Sequence, residues 1–589
     1  MSGTANGCAP ARNRPDGLLY AETLSSTDPF IMSMLKERTG GQILVDQLKI
    51  HGVDTAYGVP GESYLAVLDA LHDTNSIKFV ICRQEGGAAM MADAYGKMTG
   101  KPGICMVTRG PGATNASSGV HVAFQDSTPM ILFIGQVGLD AIEREAFQEI
   151  DYRRMYGQMA KWVAQIDDAA RIPEYLSRAF HTATSGRPGP VVLALPEDML
   201  TAKATVADAE PFRAAEAHPG PEAMAEIRGM LAKAKRPFVI LGGSVWDDAA
   251  CQAIKSFAER NKLPVGTSFR RADRFDNLHA CYAGDVGIGP NPKLAERVKS
   301  ADLLLVIGAR LGEMTTGGYT LFGIPTPSQT MVHVHPDPEE LGRVYRPALA
   351  VNAGVKAFAA ALARLEPVDS SAWAGAAEAA HADYLAYTKP VKCPGDVQMA
   401  EIVAWLDATL PDDAIWTNGA GNFATWVHRF HRYRKLGTEL APTSGSMGYG
   451  LPAAVAAKIQ YPGRDVVCVA GDGDIQMTVN ELGTAAQAGA AVIVIVVNNG
   501  MYGTIRMHQE REYPERVSGT DLVNPDFAAI GRAYGGHGET VTRTEDFQPA
   551  FERARASGRL AVIELKLHPE ALTIRASLSE IRQQAKAKR

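Results

Sequence analysis

The sequence lacks the features that mark membrane proteins, nucleic-acid-binding proteins and disulfide-rich secreted proteins. No segment reaches the roughly 18 consecutive apolar residues that a membrane span requires. The 59 Lys and Arg residues are nearly balanced by 65 Asp and Glu residues without a long run of one sign, so we expect no nucleic-acid partner. The seven cysteines are scattered and form no CxxC pair, which predicts reduced thiols. A small molecule is therefore the expected partner.

The N-terminus also lacks a secretory signal, because no positive stretch precedes an apolar segment and a small-residue cleavage site. A cytoplasmic protein is therefore expected. Gly, Pro, Ser and Asn are frequent at this end of the chain, and we assign residues 1–37 to an N-terminal tail outside the fold.

Short apolar segments alternate with longer amphipathic segments over most of the 589 residues. This alternation is typical of α/β proteins with parallel sheets, and the chain is too long for one hydrophobic core. Two Ala- and Pro-rich stretches without a strand pattern interrupt it. We predict an α/β protein with three doubly wound parallel-sheet domains at residues 38–204, 225–366 and 397–570, linkers at 205–224 and 367–396, and a C-terminal tail at 571–589.

One stretch of the predicted third domain has the pattern of a metal and phosphate site. The apolar segment VVCVA leads into a Gly-Asp-Gly turn centred on Asp472, and a second apolar segment, AAVIVIVV, is followed by Asn498 and Asn499. The residues between them suffice for one crossover helix, so we expect both turns at the same edge of a parallel sheet, where ligands bind. Mg²⁺ prefers oxygen ligands, which Asp472, the Asn499 side chain and the Met501 carbonyl would supply. The sequence therefore predicts a magnesium site at this edge.

The Gly-Asp-Gly turn followed at this spacing by two asparagines resembles the thiamine-diphosphate signature of the decarboxylase and acetolactate-synthase superfamily. The resemblance implies a pyrimidine-binding domain, a middle nucleotide-fold-like domain and a diphosphate-binding domain, in that order. It also demands a carboxylate on the first domain, and RQEGGAAMMADAYG places Glu85 at the matching position. The implied role of Glu85 is a hydrogen bond to N1′ of the aminopyrimidine, which favours the imino tautomer that removes the proton from thiazolium C2.

Further motifs extend the resemblance to the acetolactate synthases. TSGSMGYG places Met447 where the family has the apolar residue that bends the cofactor, and GQVGLDAIEREAFQE places Phe147 and Gln148 near the substrate. TNGAGNFATW resembles the loop that contacts the diphosphate. Arg109, in TRGPGATN, could meet a substrate carboxylate or pair with a surface acid, and both interpretations stay open.

The resemblance thus implies three sets of residues. The implied catalytic residues are Glu85, Met447, Phe147 and Gln148. The implied cofactor contacts are Glu85, Gly421, Asn422, Phe423, Met447, Gly471, Gly473, Asp474, Asn499, Met501 and Tyr502. The implied metal ligands are Asp472, Asn499 and Met501.

The middle domain departs from the acetolactate-synthase pattern. Met314 replaces an arginine that would hold the carboxylate of a second oxo acid, and His508 replaces a tryptophan of the substrate channel. The glycine run and loop that would bind FAD are incomplete, and His335 stands where an acidic residue is usual. FAD is therefore expected to be absent. The related domain of 2-hydroxyacyl-CoA lyases and oxalyl-CoA decarboxylases holds a nucleotide of coenzyme A, so such a ligand, FAD or no ligand remain the alternatives.

The function implied by the resemblance is a thiamine-diphosphate- and Mg²⁺-dependent carboligase or lyase that acts on a 2-oxo acid or an acyl-CoA-type substrate through a thiazolium carbanion. The alternatives are a 2-hydroxyacyl-CoA lyase, a 2-oxo acid decarboxylase and a non-catalytic cofactor-binding subunit. A nicotinamide oxidoreductase is not favoured, because no strand leads into GxGxxG with an acidic residue about 20 positions further on. The resemblance also implies a homodimer or homotetramer with active sites between subunits.

Overall fold

Three six-stranded parallel sheets form the protein, which confirms the predicted α/β fold class. The computed structural model describes residues 36–588. The predicted N-terminal tail lies outside the described residues except for its last two positions. None of the helices within 36–588 combines the length and apolar character of a membrane span. The cytoplasmic location stays a prediction.

The first domain is built on eight strands. They are β1 (Arg38–Thr39), β2 (Thr55–Gly58), β3 (Lys78–Ile81), β4 (Gly103–Val107), β5 (Met130–Gln136), β6 (Trp162–Gln165), β7 (Pro190–Pro196) and β8 (Lys203–Ala204). Six of them form a parallel sheet in the order β3-β2-β4-β5-β7-β6, and β1 pairs with β8 in an antiparallel ribbon. The helices are Gly40–Ile50, Leu65–His72, Glu85–Thr99, Pro111–Asp126, Tyr152–Tyr156, Ile172–Thr184 and Glu197–Thr201.

The middle domain has six strands in the order β11-β10-β9-β12-β13-β14, all parallel. Its strands are β9 (Pro237–Leu241), β10 (Val265–Thr267), β11 (Tyr282–Asp285), β12 (Leu303–Ile307), β13 (Thr330–His335) and β14 (Leu349–Asn352). Its helices are Pro221–Leu231, Asp248–Asn261, Pro292–Ser300 and Val355–Ala363. From β9 the chain continues to β10 and β11 at one edge of the sheet, and from β12 it continues to β13 and β14 at the other edge. The topological switch point, where such sheets bind ligands, therefore lies between β9 and β12.

The third domain has the parallel order β16-β15-β17-β18-β20-β19. Its strands are β15 (Ile415–Asn418), β16 (Glu439–Leu440), β17 (Val466–Gly471), β18 (Ile493–Asn498), β19 (His537–Val541) and β20 (Ala561–Lys566). Its helices are Met399–Thr409, Ala424–Phe430, Gly450–Gln460, Asp472–Ile475, Leu482–Ala488, Gly503–Glu512, Phe527–Ala533 and Phe547–Ala556. The short 3₁₀ helices of residues 36–588 are Glu62–Tyr64, Leu139–Ala141, Ala169–Arg171, Ala272–Arg274, Ser371–Trp373, Val479–Glu481 and Thr544–Asp546.

The first and third domains share one hydrophobic core. Helix Glu85–Thr99 of the first domain and helix Gly450–Gln460 of the third pack in this core, and almost every residue of both helices up to the last turn is buried. Both helices are rich in Ala and Gly, which lets their backbones approach closely. The position of Glu85, at the start of the first helix, is therefore set by contacts with the third domain.

The segments assigned to the second linker and to the C-terminal tail each contain a helix. The linker 367–396 contains helix Ala376–Tyr387, in which Tyr384 packs its ring 4.9 Å from that of Tyr282. The C-terminal tail 571–589 contains helix Leu578–Ala587, which begins with a capping box formed by Ser577. Its Arg582 donates to both carboxylate oxygens of Glu510, at 2.9 and 2.7 Å. The residues that these two helices contact lie about 70 to 100 positions earlier in the chain. The local sequence pattern therefore did not reveal the helices.

Candidate active site

The loops that follow the strands of the third sheet enclose a cavity of about 240 Å³. Strands β17 and β18 are parallel neighbours, so the turns at their C-terminal ends meet at this edge of the sheet. Eleven residues that the sequence assigned to the cofactor or the metal line the cavity: Gly421, Asn422, Phe423, Met447, Gly471, Asp472, Gly473, Asp474, Asn499, Met501 and Tyr502. The structure therefore brings the whole third-domain set together.

Asp472 is one of two buried carboxylates that line this cavity, and Asp474 is the other. Its Oδ1 accepts the N–H of Gly473 at 3.0 Å, and its Oδ2 accepts the N–H of Gly500 at 2.8 Å and Nδ2 of Asn524 at 2.7 Å. Burial raises the pKa of the Asp472 carboxyl, and the N–H donors oppose that rise. A cation in the cavity would favour the ionised form further.

The two asparagines at the end of β18 have different surroundings. Nδ2 of Asn498 donates to Oε1 of Glu564 at 2.6 Å, and Oδ1 of Asn498 accepts Nδ2 of Asn524 at 2.9 Å. Asn499 instead lines the cavity, as expected because successive side chains of a strand point to opposite sides. Asn498 is therefore part of a buried hydrogen-bond network, and Asn499 is the asparagine that a cavity ligand can reach.

Asp474 joins three loops of the site. Its Oδ1 accepts the N–H groups of Ala420 at 3.0 Å and Gly448 at 2.9 Å, although it lies on the turn after β17. Burial raises the pKa of Asp474 to about 7. The carboxyl group therefore fixes the relative positions of the loops at Gly421, Met447 and Asp472.

The donor set suits a hard divalent cation. Residues 36–588 form no group of three or more His, Cys, Asp or Glu side chains that could hold a metal ion. One carboxylate from Asp472 with neutral oxygens from Asn499 and Met501 would form an incomplete shell of the kind that Mg²⁺ completes with phosphate oxygens and water. A Cys- and His-rich zinc site is a different arrangement.

Glu85 lies on the first domain, at the first position of helix Glu85–Thr99. The helix begins here because the Gln84 side chain accepts the N–H of Gly87 at 3.0 Å. Glu85 is half-buried, and its Oε2 accepts Nδ2 of Asn115 at 3.0 Å. Among the described residues, none from the first domain lines the 240 Å³ cavity. One chain therefore does not bring Glu85 into the cavity of Asp472.

Phe147 and Gln148 lie on a loop beside the Gly-Pro-Gly turn of the first domain. A Cβ on Gly110 would lie 2.7 Å from Cβ of Gln148, so the loop and the turn are in close contact. Nε of Arg109 donates to the carbonyl of Phe147 at 3.3 Å, and its guanidinium pairs with Glu197 at 2.9 Å. Of the two interpretations of Arg109, the observed contact corresponds to the second, a pairing with an acidic side chain. The Phe147 side chain is 73% exposed.

A larger cavity of about 810 Å³ lies where the three domains meet. The turns after β9 and β12, at Gly243 and Gly308, line it, so it opens from the switch point of the middle sheet. Met314 and His508 line the same cavity. Three of the residues at which this sequence departs from the acetolactate-synthase pattern, Met314, His508 and His335, therefore line the same cavity.

Several arginines give this larger cavity a positive lining. Arg187, Arg270 and Arg429 line it, and none of them pairs with a carboxylate of the described chain within 4.0 Å. Their guanidinium groups donate mainly to backbone carbonyls, as Arg270 does to Gly419 at 3.0 Å. Burial lowers the pKa of Arg187 to about 10. Arg270 is buried and the other two are partly exposed, and an anionic ligand would compensate the three charges.

Two polar contacts of the site had no local signal in the sequence. Asn524 bonds to both Asp472 and Asn498 but follows them in a separate loop, 52 and 26 residues later. Thr504 accepts the N–H of Asn422 at 2.9 Å and lies 82 residues after it. Neither residue belongs to a motif of its own, and only the folded chain reveals them.

Comparison with known proteins agrees with this geometry. The thiamine pyrophosphate enzyme N-terminal TPP binding domain matches residues 38–155, the central domain matches residues 224–362, and the C-terminal TPP binding domain matches residues 419–565. Each match covers one of the three parallel sheets in large part.

Curated relatives match over most of the chain. The acetolactate synthase large subunit of Parasynechococcus marenigrum is 34% identical over 525 residues, which cover 86% of this chain and 84% of the relative. The acetolactate synthase isozyme 2 large subunit of Escherichia coli is 32% identical, with 87% of this chain and 92% of the relative covered. The mitochondrial acetolactate synthase catalytic subunit of Saccharomyces cerevisiae is 30% identical, with 90% and 80% covered.

Proposed function

The chain belongs to the thiamine-diphosphate-dependent enzymes related to the acetolactate synthases, an enzyme family of carboligase type, and from this premise we propose that it joins a fragment of a 2-oxo acid to a second carbonyl compound with the help of Mg²⁺. The observation that carries the proposal is the convergence of Asp472, Asn499 and Met501 in one cavity.

The third-domain cavity would hold the metal and the diphosphate end of the cofactor. Asp472, Asn499 and the Met501 carbonyl supply the metal ligands, and the phosphates complete the shell. The rings of Phe423 and Tyr502 support the turn, since they pack where Cβ atoms on Gly471 and Gly473 would stand. When bound, the cofactor supplies the carbanion that attacks the substrate carbonyl and the electron sink for the reaction.

Glu85 would hold the proton at the aminopyrimidine end. Asn115 donates to its Oε2, which leaves Oε1 to share a proton with N1′ of the pyrimidine. The Asn115 bond also fixes the orientation of the carboxylate. Met447 would press against the cofactor from the third-domain side, because it lines the same cavity as Asp472.

We further propose that the working unit is at least a dimer, with Glu85 of one chain completing the cavity of the other. Exposed apolar side chains support the proposal. On the first domain Leu65 is 61% and Phe147 is 73% exposed, and on the third domain Met477 is 51% and Ile505 is 54% exposed. Apolar side chains beside two half-sites are typical of surfaces that a partner covers.

Met314 stands where the family has the arginine that would hold the carboxylate of a second oxo acid, so we propose a different acceptor pocket. A 2-hydroxyacyl-CoA lyase is the second candidate, and Arg187, Arg270 and Arg429 favour it, since they suit the phosphates of coenzyme A. The same lining would also accept the diphosphate of FAD. Our proposal that FAD is absent rests on the incomplete glycine run and loop in the sequence.

The test is a direct assay of binding and turnover. The purified chain is titrated with thiamine diphosphate in the presence and absence of Mg²⁺ by calorimetry. It is then incubated with 2-oxo acids and 2-hydroxyacyl-CoAs, and products are identified by mass spectrometry. Metal-dependent cofactor binding with a carbon–carbon-bonded product supports the proposal, and failure to bind the cofactor in either condition contradicts it.

A further inference from the structure

The segment from Thr443 to Tyr449 carries Met447 into the cavity, and its two ends are bonded to side chains of the first domain. At one end Thr443 donates its N–H to Oδ1 of Asp126 at 2.8 Å, and its hydroxyl donates to the same oxygen. At the other end the Tyr449 hydroxyl donates to Oδ2 of Asp93 at 2.7 Å. Both carboxylates are buried. The Met447 segment is thus held by another domain at both ends.

Lys97 joins the two anchors. Its Nζ lies 2.7 Å from Oδ2 of Asp93, donates to the Tyr449 hydroxyl at 3.0 Å and pairs with Oδ2 of Asp126. The Lys97 ammonium group thus lies between the two buried carboxylates and also donates a hydrogen bond to the Tyr449 hydroxyl. Two buried carboxylates next to one ammonium require further positive charge, which the Arg271 guanidinium provides as it donates to the Asp126 carbonyl at 3.2 Å.

Without its bonds to Asp126 and Asp93, the Thr443–Tyr449 segment would be easily displaced. Gly445 and Gly448 have φ angles of 68° and 78°, a region that glycine enters at little cost and that gives the unbound segment many alternatives. Within the third domain, the Gly448 N–H donates to Asp474 at 2.9 Å, the Gly448 carbonyl accepts the Thr478 hydroxyl at 2.7 Å, and the Tyr449 carbonyl accepts the N–H of Ala453 at 3.1 Å. The position of Met447 therefore depends on the first-domain anchors as well.

We propose that Lys97, Asp93 and Asp126 are positioning residues that hold the Thr443–Tyr449 segment so that Met447 stays in the cofactor cavity. The inference rests on the proposed function in one respect, namely that Met447 touches the cofactor. Lys97 and Asp93 lie on the helix that begins with Glu85. The cluster therefore ties the Met447 segment to the helix whose first residue is Glu85.

The test uses variants that remove one hydroxyl each and leave the buried charges intact. Tyr449→Phe removes the hydroxyl that accepts from Lys97 and donates to Asp93, and Thr443→Val removes one donor to Asp126. Thr443→Ser keeps that hydroxyl and is the conservative control. Tyr433→Phe is the matched control for a buried tyrosine, because the Tyr433 hydroxyl has no hydrogen-bond partner among the described residues.

Two measurements separate positioning from stability. The first is the methyl NMR signal of Met447 in protein labelled at methionine methyl groups, assigned with Met447→Leu. Tyr449→Phe and Thr443→Val should broaden or split this signal at a temperature where circular dichroism shows all variants folded. The second is turnover of the loaded enzyme, which should fall about ten- to a hundredfold in kcat with little change in cofactor affinity.

The outcomes distinguish this inference from the proposed function. An unchanged Met447 signal in Tyr449→Phe and Thr443→Val overturns the inference, whether or not the parent protein is active. A changed signal in these two variants, with Thr443→Ser and Tyr433→Phe like the parent, supports it. If the signal changes as expected while the parent protein binds no thiamine diphosphate, the positioning stands and the proposed function fails.

Discussion

Asn524 donates to the Asp472 carboxylate at 2.7 Å, and the same amide group donates to the Asn498 side chain at 2.9 Å. Asn524 lies 52 residues after Asp472, in a loop with no strand or helix of its own. It therefore joins the turns that follow two neighbouring strands. In many metal sites such outer hydrogen bonds set the orientation of the ligand and its affinity for the metal.

Asn524→Ala should weaken Mg²⁺ binding while leaving the fold intact. The Asp472 carboxylate loses one of the three N–H donors that orient it, so the affinity for the metal should fall about 10- to 100-fold. Calorimetric titration with Mg²⁺ at saturating thiamine diphosphate measures the change. Asn480→Ala is the control, since Asn480 bonds to Glu481 and does not line the cavity. Equal affinities for the parent and Asn524→Ala would remove Asn524 from the metal site.

Asp472→Ala should abolish retention of both metal and cofactor. The substitution removes the one charged ligand, and a divalent ion would then face the phosphates with neutral protein oxygens alone. Gel filtration followed by measurement of bound thiamine diphosphate checks this. Asp521→Asn is the control, because Asp521 is an exposed carboxylate of the same domain. Tight cofactor binding by Asp472→Ala would show that the metal lies elsewhere.

The fold and the core of the site followed from local patterns, and the supporting contacts did not. The turn at Asp472 and the asparagines after β18 could be placed at one sheet edge because an apolar strand, a helix and a second strand separate them in the expected order. Lys97 gave no such signal, since its partner Tyr449 is 352 residues away. The role of a buried charge such as Lys97 on an Ala-rich helix can be inferred only once the residues that it contacts are known.

Glu85→Gln should bind the cofactor normally and lose most of its activity. The amide cannot share a carboxyl proton with N1′ of the pyrimidine, so exchange of the thiazolium C2 proton should slow by about 10²- to 10⁴-fold. Hydrogen–deuterium exchange at C2, followed by NMR after acid quench, measures this step directly. Glu174→Gln, an exposed substitution on another helix of the first domain, should exchange like the parent. A normal exchange rate in Glu85→Gln would exclude the proposed role.

The purified protein should show no flavin absorbance. The glycine run after β9 is short, and His335 stands where an acidic residue is usual, so we expect the larger cavity to hold no FAD. An absorbance spectrum before and after denaturation, calibrated against free FAD, decides the matter. A stoichiometric yellow chromophore would contradict the prediction and would assign the 810 Å³ cavity to the flavin.

Mixing two inactive variants should restore activity if the active site lies between chains. In one chain the cavity of Asp472 includes no residue of the first domain among those described, so we expect Glu85 to reach it from another copy. A dimer with two-fold symmetry has two such sites. A heterodimer of Glu85→Gln and Asp472→Ala chains then contains one site with both native residues and one site with both substitutions.

Random exchange of equal amounts of the two variants should therefore recover about a quarter of the parent activity, because half of the dimers are mixed and each has one intact site. Native mass spectrometry of chains with different tags confirms that the subunits have exchanged. Glu174→Gln mixed with the parent is the control for losses during exchange. If the mixed dimers form and no activity returns, Glu85 and Asp472 serve the same chain's site, since each site would then carry one damaged residue. That result would also require the first and third domains to move relative to each other, because the shared core of helices Glu85–Thr99 and Gly450–Gln460 holds Glu85 outside the cavity.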